Sequence, residues 1–488
     1  MPAPKQKGRA HGPRRPGGAG SQRRPGPQRP AARAEGRPVR SARPAVGTPF
    51  LVGHLADALR MILKLDGPAD VLLTVYFKKN HELGSRDRGV IAETVYFALR
   101  RLATLAWAMA PAVPARAPRL AALAAIAWKY GRDELSEAAV GADAAALRSI
   151  LEKPLEKAPA SVRAEVPEWL YERITAQYED APAFFRAIAQ GAPLDLRVNL
   201  LKTTRAEAVK EFDAMGIAAI PTRYSPDGLR LKDKVGLGSS PVYREGRIDI
   251  QDEGSQLIAR LLAPRRREMI CDFCAGAGGK TLAIGALMRS TGSLYAFDIN
   301  AKRLEGMVPR LRRSGLTNVH PIAIRDEHDR RLGRLIGKFD RVLVDAPCTG
   351  TGTLRRNPDL RWRLSVAELE RINAVQASVL RSAARLVKKG GRLVYATCSV
   401  LRQENQAVVE SFLAEHPEFT LKNAAEILEA QGVAFSAEDK AQFGDWFAML
   451  PQRQDTDGFF AAVLEKTGDA PRRAAAAKAE PEETPAES

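Results

Sequence analysis

From residue 251 to about residue 465 the chain alternates short apolar runs with longer amphipathic ones. EMICDFCA precedes GKTLAIGALMRS, SLYAFD precedes AKRLEGMVPRLRRSG, and NVHPIAI precedes a loop. FDRVLVDAP precedes VAELERINAVQASVLRSAARLVKK, and GRLVYATC precedes a helix beginning near Gln403. Strand and helix alternation of this kind predicts a mostly parallel sheet with helices on both faces. Ligands of such sheets bind at the carboxyl ends of the strands, and the residues with chemical character fall there.

The loop CAGAGGKT, 274–281, joins the first strand to the first helix of this sheet. Its glycines let a ligand approach the backbone at a helix N-terminus. A phosphate-binding G-x-x-x-x-G-K-T loop would need glycine where Cys274 stands, and a dinucleotide fingerprint starting at Gly276 would need Gly or Ala where Thr281 stands. An adenosine-bearing cofactor fits better, its ribose held by Asp298 at the end of the second strand. The residues alone also allow Asp298 to be a helix N-cap. Asp326, beyond NVHPIAI, is placed to reach the cofactor or a base edge.

The chain has four cysteines, too few for a disulfide framework and suited to a reducing compartment. Cys271 and Cys274 form a C-x-x-C without a second ligand pair nearby, so no metal is expected. Cys348 in DAPCTGTG and Cys398 in YATCS follow neighbouring strands, which puts two thiols on one sheet edge. Cys398 also precedes a helix, whose N-terminal field favours thiolate. A thiolate beside an adenosine cofactor suggests addition to C6 of a pyrimidine, which activates C5 to attack a methyl group. The C5 proton must then leave, and an acid near N3, Asp345, would stabilise developing charge. The arginines of TLRRNPDLRWR are read as phosphate anchors, Trp362 as a stacking platform or a core residue, and the glycines as room for base and backbone.

Five segments follow from composition and periodicity. Residues 1–47 are a basic Arg/Pro/Gly tail, carrying about +11 of the net charge of +18, and are expected to be disordered. Residues 48–150 read as a helical domain, and 151–250 as helices followed by a small α+β module bearing Arg197, Lys202, Arg223 and Arg230. Residues 251–467 form the α/β domain, and 468–488 a second disordered tail. The basic excess points to a polyanionic partner. No apolar run approaches the length of a membrane span, and the Arg- and Pro-rich start is unlike a signal peptide, so a cytoplasmic monomer is expected.

From about Leu194 to Glu465 the chain resembles the Sun/RsmB-type RNA cytosine-5 methyltransferases. The motifs are RVNLLK, QDEGSQ, DFCAGAGGKT, AFDINAKRL, Asp326, DAPCTGTGTLRRNPD, YATCS with QEN, and TDGFF. Residues 48–150, with RDRGVIAETVYFALRR, are similar to the NusB-like RNA-binding domain of such proteins. The resemblance implies a Rossmann-like class I methyltransferase domain, S-adenosylmethionine as cofactor and small-subunit ribosomal RNA as partner. It implies Cys398 as nucleophile and Cys348 as the cysteine of product release. Cofactor contacts would fall on Cys274, Ala275, Gly276, Ala277, Gly278, Gly279, Lys280, Asp298, Asp326 and Asp345. Ala277 departs from the proline usual in relatives. Two alternatives remain from the residues: an RNA-dependent NTPase built on GGKT, and a non-catalytic assembly factor that binds ribosomal RNA.

Overall fold

The computed structural model describes residues 46–468 except residue 234. The N-terminal tail, apart from its last two residues, and the C-terminal tail beyond residue 468 lie outside the described residues. Helices Pro49–Ile62, Ala69–Lys79, Ser85–Arg100, Leu102–Met109, Pro118–Tyr130 and Ala144–Leu151 surround their own core of Leu55, Leu59, Val95, Leu99, Leu123 and Ile126. Thr48 caps the first helix by accepting from Leu51 N, and Pro49 follows where its missing N–H costs nothing. The alanines Ala121 to Ala125 of PRLAALAAIAWKY flank Leu123 and are wholly buried, so neighbouring helices can approach closely.

A four-stranded antiparallel sheet follows: β1 (Leu194–Val198), β2 (Ala219–Pro221), β3 (Gly228–Leu231) and β4 (Ile248–Ile250), in the order β2-β3-β1-β4. Helix Arg205–Ala214 packs on it, opened by a capping box between Thr204 and Glu207. β4 is three residues long, too short for a periodicity to announce it. The module's basic residues are mostly spent internally. Arg197 is buried and donates to Gln251 at 2.6 Å, Arg230 pairs with Asp195 at 2.7 Å, and Lys202 donates to the carbonyls of Glu245 and Arg313. Arg223 is exposed, as is Lys202 despite its two bonds.

The large sheet contains β5 (Met269–Asp272), β6 (Ser293–Asp298), β7 (Val319–Ala323), β8 (Phe339–Asp345), β9 (Val387–Thr397), β10 (Phe419–Lys422), β11 (Phe447–Met449) and β12 (Phe459–Lys466). Its order is β10-β12-β9-β8-β5-β6-β7, with β11 also on β12. β5 to β9 are parallel, as the alternation predicts, and β12 runs antiparallel beside β9. The central strands are apolar on both faces: Phe339, Val342, Leu343 and Val344 of β8 are inaccessible to solvent. The antiparallel strands β10 to β12 were not foreseen, because their partners are set by tertiary pairing rather than by alternation with helices. Strand order reverses between β5 and β8, so the loop after β5 opens at the switch point.

The segment TLRRNPDLRWR corrects the expectation of phosphate anchors. Arg361 is fully buried, its guanidinium donating to the carbonyls of Glu165, Ile188 and Leu354 at 2.9, 3.1 and 3.1 Å. Arg355 pairs with Asp455 and Asp457, Arg356 with Asp457 and Asp252, and Arg363 with Asp359. Trp362 is also structural, its Nε1 donating to Leu99 O of the helical region at 2.9 Å. This stretch bolts the helical region to the α/β domain. Arg361→Leu strands three buried carbonyls and is expected to lower stability by about 3 kcal/mol or more, read as a shift of the urea midpoint at constant slope.

Glu165 at the same joint accepts from Ala103 N and Thr104 N, but burial outweighs those bonds and pushes its carboxyl up to about 7. A carboxyl raised in the folded state contributes stability that is complete below its unfolded pKa and lost as pH climbs through the folded one. Stability is therefore expected to fall from about pH 4.5 to pH 7, and Glu165→Gln to make that part of a pH series of urea melts less steep, Asp272 still contributing.

Candidate active site

Parallel pairing sets Asp345 of β8 opposite Ala396 of β9, so the segments leaving both strands begin side by side. Ala346 N donates to Ala396 O at 2.8 Å, and Gly352 N returns to donate to Cys398 O at 2.9 Å. The two half-buried thiols of Cys348 and Cys398 are thereby held 3.3 Å apart. Their contact, and then burial, raise the Cys348 thiol well above its ordinary range. The helix expected to act on Cys398 does not reach it. A 3-10 turn, Arg402–Glu404, intervenes before helix Gln406–Glu415, and a helix field fades within its first turn.

The positive charge near Cys398 is Lys280. Its Nζ lies 2.7 Å from Asp345 Oδ2, and the side chain is 10% exposed. Burial works against the ammonium, but Asp345, with a further contribution from Cys398, raises Lys280 above its ordinary pKa. Lys280 and Asp345 are thus partners rather than independent contacts, which their separation in sequence hid.

Glu404, to which the sequence reading gave no separate role, links the two cysteine loops. It is completely buried; Oε1 accepts from Thr349 N at 2.7 Å and Gln376 Nε2 at 3.1 Å, and Oε2 accepts from the hydroxyls of Thr349 and Ser399. Thr349 adjoins Cys348 and Ser399 adjoins Cys398, so one carboxyl fixes both. The only signal in the sequence was the polar QEN after YATCS. Gly352 is likewise structural: a Cβ there would lie 2.0 Å from Gly458 O, in TDGFF. That glycine serves close backbone packing rather than room for a base.

On the other side of β5, Asp298 ends β6 and is nearly buried. Its Oδ2 accepts from Gly276 N and its Oδ1 from Asn300 N, each at 2.7 Å, which leaves lone pairs on both oxygens. Asn300, not Asp298, caps the following helix. Ile299 beside it is 70% exposed, an apolar face that the sequence reading missed. In the loop, Ala275 N donates to Phe297 O, and Gly276 and Gly278 take left-handed φ of 55° and 85°. Side chains at those two glycines would collide with Arg303 and Met307, whereas a Cβ at Gly279 would make only an ordinary contact with Gln251 Nε2 at 3.8 Å. Ala277, the departure from proline, has its carbonyl held by Arg310 Nη1 at 2.5 Å. Asp326 is exposed in the turn after β7, accepting from His328 N, and is not brought into contact with Asp298 or Asp345 by any hydrogen bond.

Two further groups complete this edge. Asp272 at the end of β5 accepts from Thr281 Oγ1 at 2.6 Å, and burial, reinforced by Asp345 and Asp298, lifts it to about 7. Cys271 is buried in the strand and Cys274 packs against the core, both thiols raised by burial. Among the described residues no group of three or more His, Cys, Asp or Glu side chains is arranged to hold a metal.

An acid with spare lone pairs, an adjacent exposed apolar face and a glycine loop opening at the switch point fit ribose, adenine and amino-acid ends of one adenosine cofactor. With a Lys–Asp pair and two thiols at the neighbouring strand ends, the fold and site define an S-adenosylmethionine-dependent methyltransferase. The family profile described as 16S rRNA methyltransferase RsmB/F matches residues 259–465, and that of the RsmF/B-like ferredoxin-like domain matches 166–237. A probable ribosomal RNA small subunit methyltransferase B of Synechocystis is 36% identical over 317 residues, 64% of this chain and 69% of the relative. Its counterpart in Bacillus subtilis is 35% identical over 307 residues, 62% and 66% of the two chains. The crystal structure of PH0851 aligns with a TM-score of 0.72 at 27% identity, covering 86% of this chain and 99% of its own. The chain belongs to the RsmB/F family.

Glu404→Ala removes the acceptor shared by Thr349, Ser399 and Gln376. Loosening both cysteine loops is expected to lower kcat for methyl transfer by about a hundredfold, with S-adenosylmethionine affinity by calorimetry unchanged.

Proposed function

We propose that this protein transfers a methyl group from S-adenosylmethionine to C5 of a cytosine in 16S ribosomal RNA, in the cytoplasm. The observation that carries the reading is the pair of thiols, Cys348 and Cys398, 3.3 Å apart at adjacent strand ends beside Lys280 and Asp345. The names of the relatives from Synechocystis and Bacillus subtilis support the substrate. No helix among the described residues is long and apolar enough to cross a membrane.

When bound, S-adenosylmethionine supplies an electrophilic methyl group; Asp298, Ile299 and the loop from Cys274 to Lys280 would hold it, with Asp326 and Asp345 at the neighbouring strand ends. Cys398 adds as thiolate to C6 of the cytosine. Asp345, taking up a proton as its pair with Lys280 opens, donates to N3 and so neutralises the negative charge that addition delivers to the ring. C5 then carries the electron pair that would form the new carbon–carbon bond, the cofactor's sulfur keeping the pair of the S–methyl bond that breaks.

Release needs a base for the C5 proton. The thiol contact that contributes most to raising Cys348 is gone once Cys398 is bonded to C6, which eases its ionisation although burial still opposes it. Cys348 gives its own proton to water and, as thiolate, takes the C5 proton; the C–H electron pair restores the C5–C6 double bond, and Cys398 departs as thiolate. The NTPase alternative is disfavoured because the lysine it would aim at phosphate is engaged by Asp345.

Cys398→Ala is expected to abolish methylation of a 16S ribosomal RNA transcript. Cys348→Ala is expected to accumulate a covalent protein–RNA species, seen as a denaturation-resistant band. Full activity of Cys398→Ala would overturn the assignment, and bisulfite mapping of RNA from cells with and without the protein would identify the cytosine.

A further inference from the structure

Helix Ser85–Arg100, the residues leading into β1 and the loop after β8 enclose a cavity of about 700 Å³. That volume lies within the usual range of ligand sites. Ala92, Tyr96 and Arg100 present one face of the helix to it, four residues apart, with Phe97 beside them and Lys129 from the next long helix. The reading of the active site uses none of these residues.

The charges around the cavity are not equivalent. Arg355 and Arg356 form part of the wall but are committed to Asp455, Asp457 and Asp252. Arg100 is different: Nη2 donates to Arg355 O at 3.0 Å, while Nε is buried without an acceptor. Burial also lowers its pKa, as expected for a guanidinium short of counter-charge. Lys129 is held by Glu93 at 3.1 Å, but that glutamate side chain is 69% exposed, and such a partner is easily exchanged for another anion. The site therefore offers a guanidinium short of acceptors that lies over the Tyr96 ring, 5.8 Å from its centre, an exchangeable ammonium and a second ring, Phe97. A nucleotide supplies the complement, an acceptor-rich phosphate and a flat base. An acidic peptide would satisfy the cations and leave the rings without a matching face.

We propose that this cavity is a second RNA site, which takes a single-stranded nucleotide flanking the target cytosine, its base against Tyr96 and Phe97 and its phosphate on Arg100 and Lys129. The proposal rests on the reading of the protein as an RNA methyltransferase and adds where the strand runs beyond the cysteines. It makes the joint between the helical region and the α/β domain part of the substrate path.

The test uses the full chain and a 16S ribosomal RNA transcript. Tyr96→Ala is expected to weaken RNA binding about tenfold, raising KM for RNA with kcat and S-adenosylmethionine affinity unchanged. Arg100→Gln is expected to reduce the slope of log affinity against log salt by about 0.7, the signature of one lost phosphate contact on a single strand. A packing role alone would not move that slope. Wild-type protein irradiated with 4-thiouridine-substituted transcript should crosslink at Tyr96 or Phe97, which decides the matter even if a variant misfolds. Crosslinks confined to other residues, or variants with wild-type KM and salt slope, would overturn the cavity while leaving the methyltransferase reading intact. Crosslinking at Tyr96 by a protein that methylates no cytosine would support the cavity and sink that reading instead.

Discussion

The site depends on the parallel pairing of β8 with β9. With Asp345 opposite Ala396, two segments far apart in the chain leave the sheet together, and the backbone bond from Gly352 N to Cys398 O ties them again. A slip of one residue would turn each side chain to the opposite face and separate the thiols. Glu404 then closes the arrangement, because a buried carboxyl surrounded by donors from both loops has no other low-energy position. The reacting groups thus need no rearrangement of their supports at the moment of reaction.

Charge in this protein is distributed by a second rule. A strongly basic sequence suggests a surface of free cations, yet many of its arginines are buried or paired where domains meet. Arg361 satisfies three carbonyls, and Arg355 and Arg356 anchor the segment before β12 through Asp457. Those pairs also place Gly458 against Gly352. The same residues that looked like ligands for phosphate hold the walls of the site at fixed distances.

The fold class was legible because it rests on local periodicity. Strand and helix alternation requires only neighbouring residues, and so do the Thr204 cap and the glycine loop. The cysteines and Asp298 were legible for the same reason, since placement at a strand end is a property of a short segment. The short β4 and the antiparallel strands β10 to β12 were not, because their pairing is the whole of their signal. The helix expected beside Cys398 was misplaced because a 3-10 turn and an α-helix start look alike over a few residues.

By itself the sequence determined the parallel part of the sheet, the order of its strands' chemical residues and the kind of reaction they suit. Only the tertiary structure decided which charges are available. Arg355 finds Asp457 at a separation of 102 residues, Lys280 finds Asp345 at 65, and Glu404 finds Thr349 at 55. Coulombic and hydrogen-bond partners are chosen by distance in space, and no periodicity along the chain records that choice.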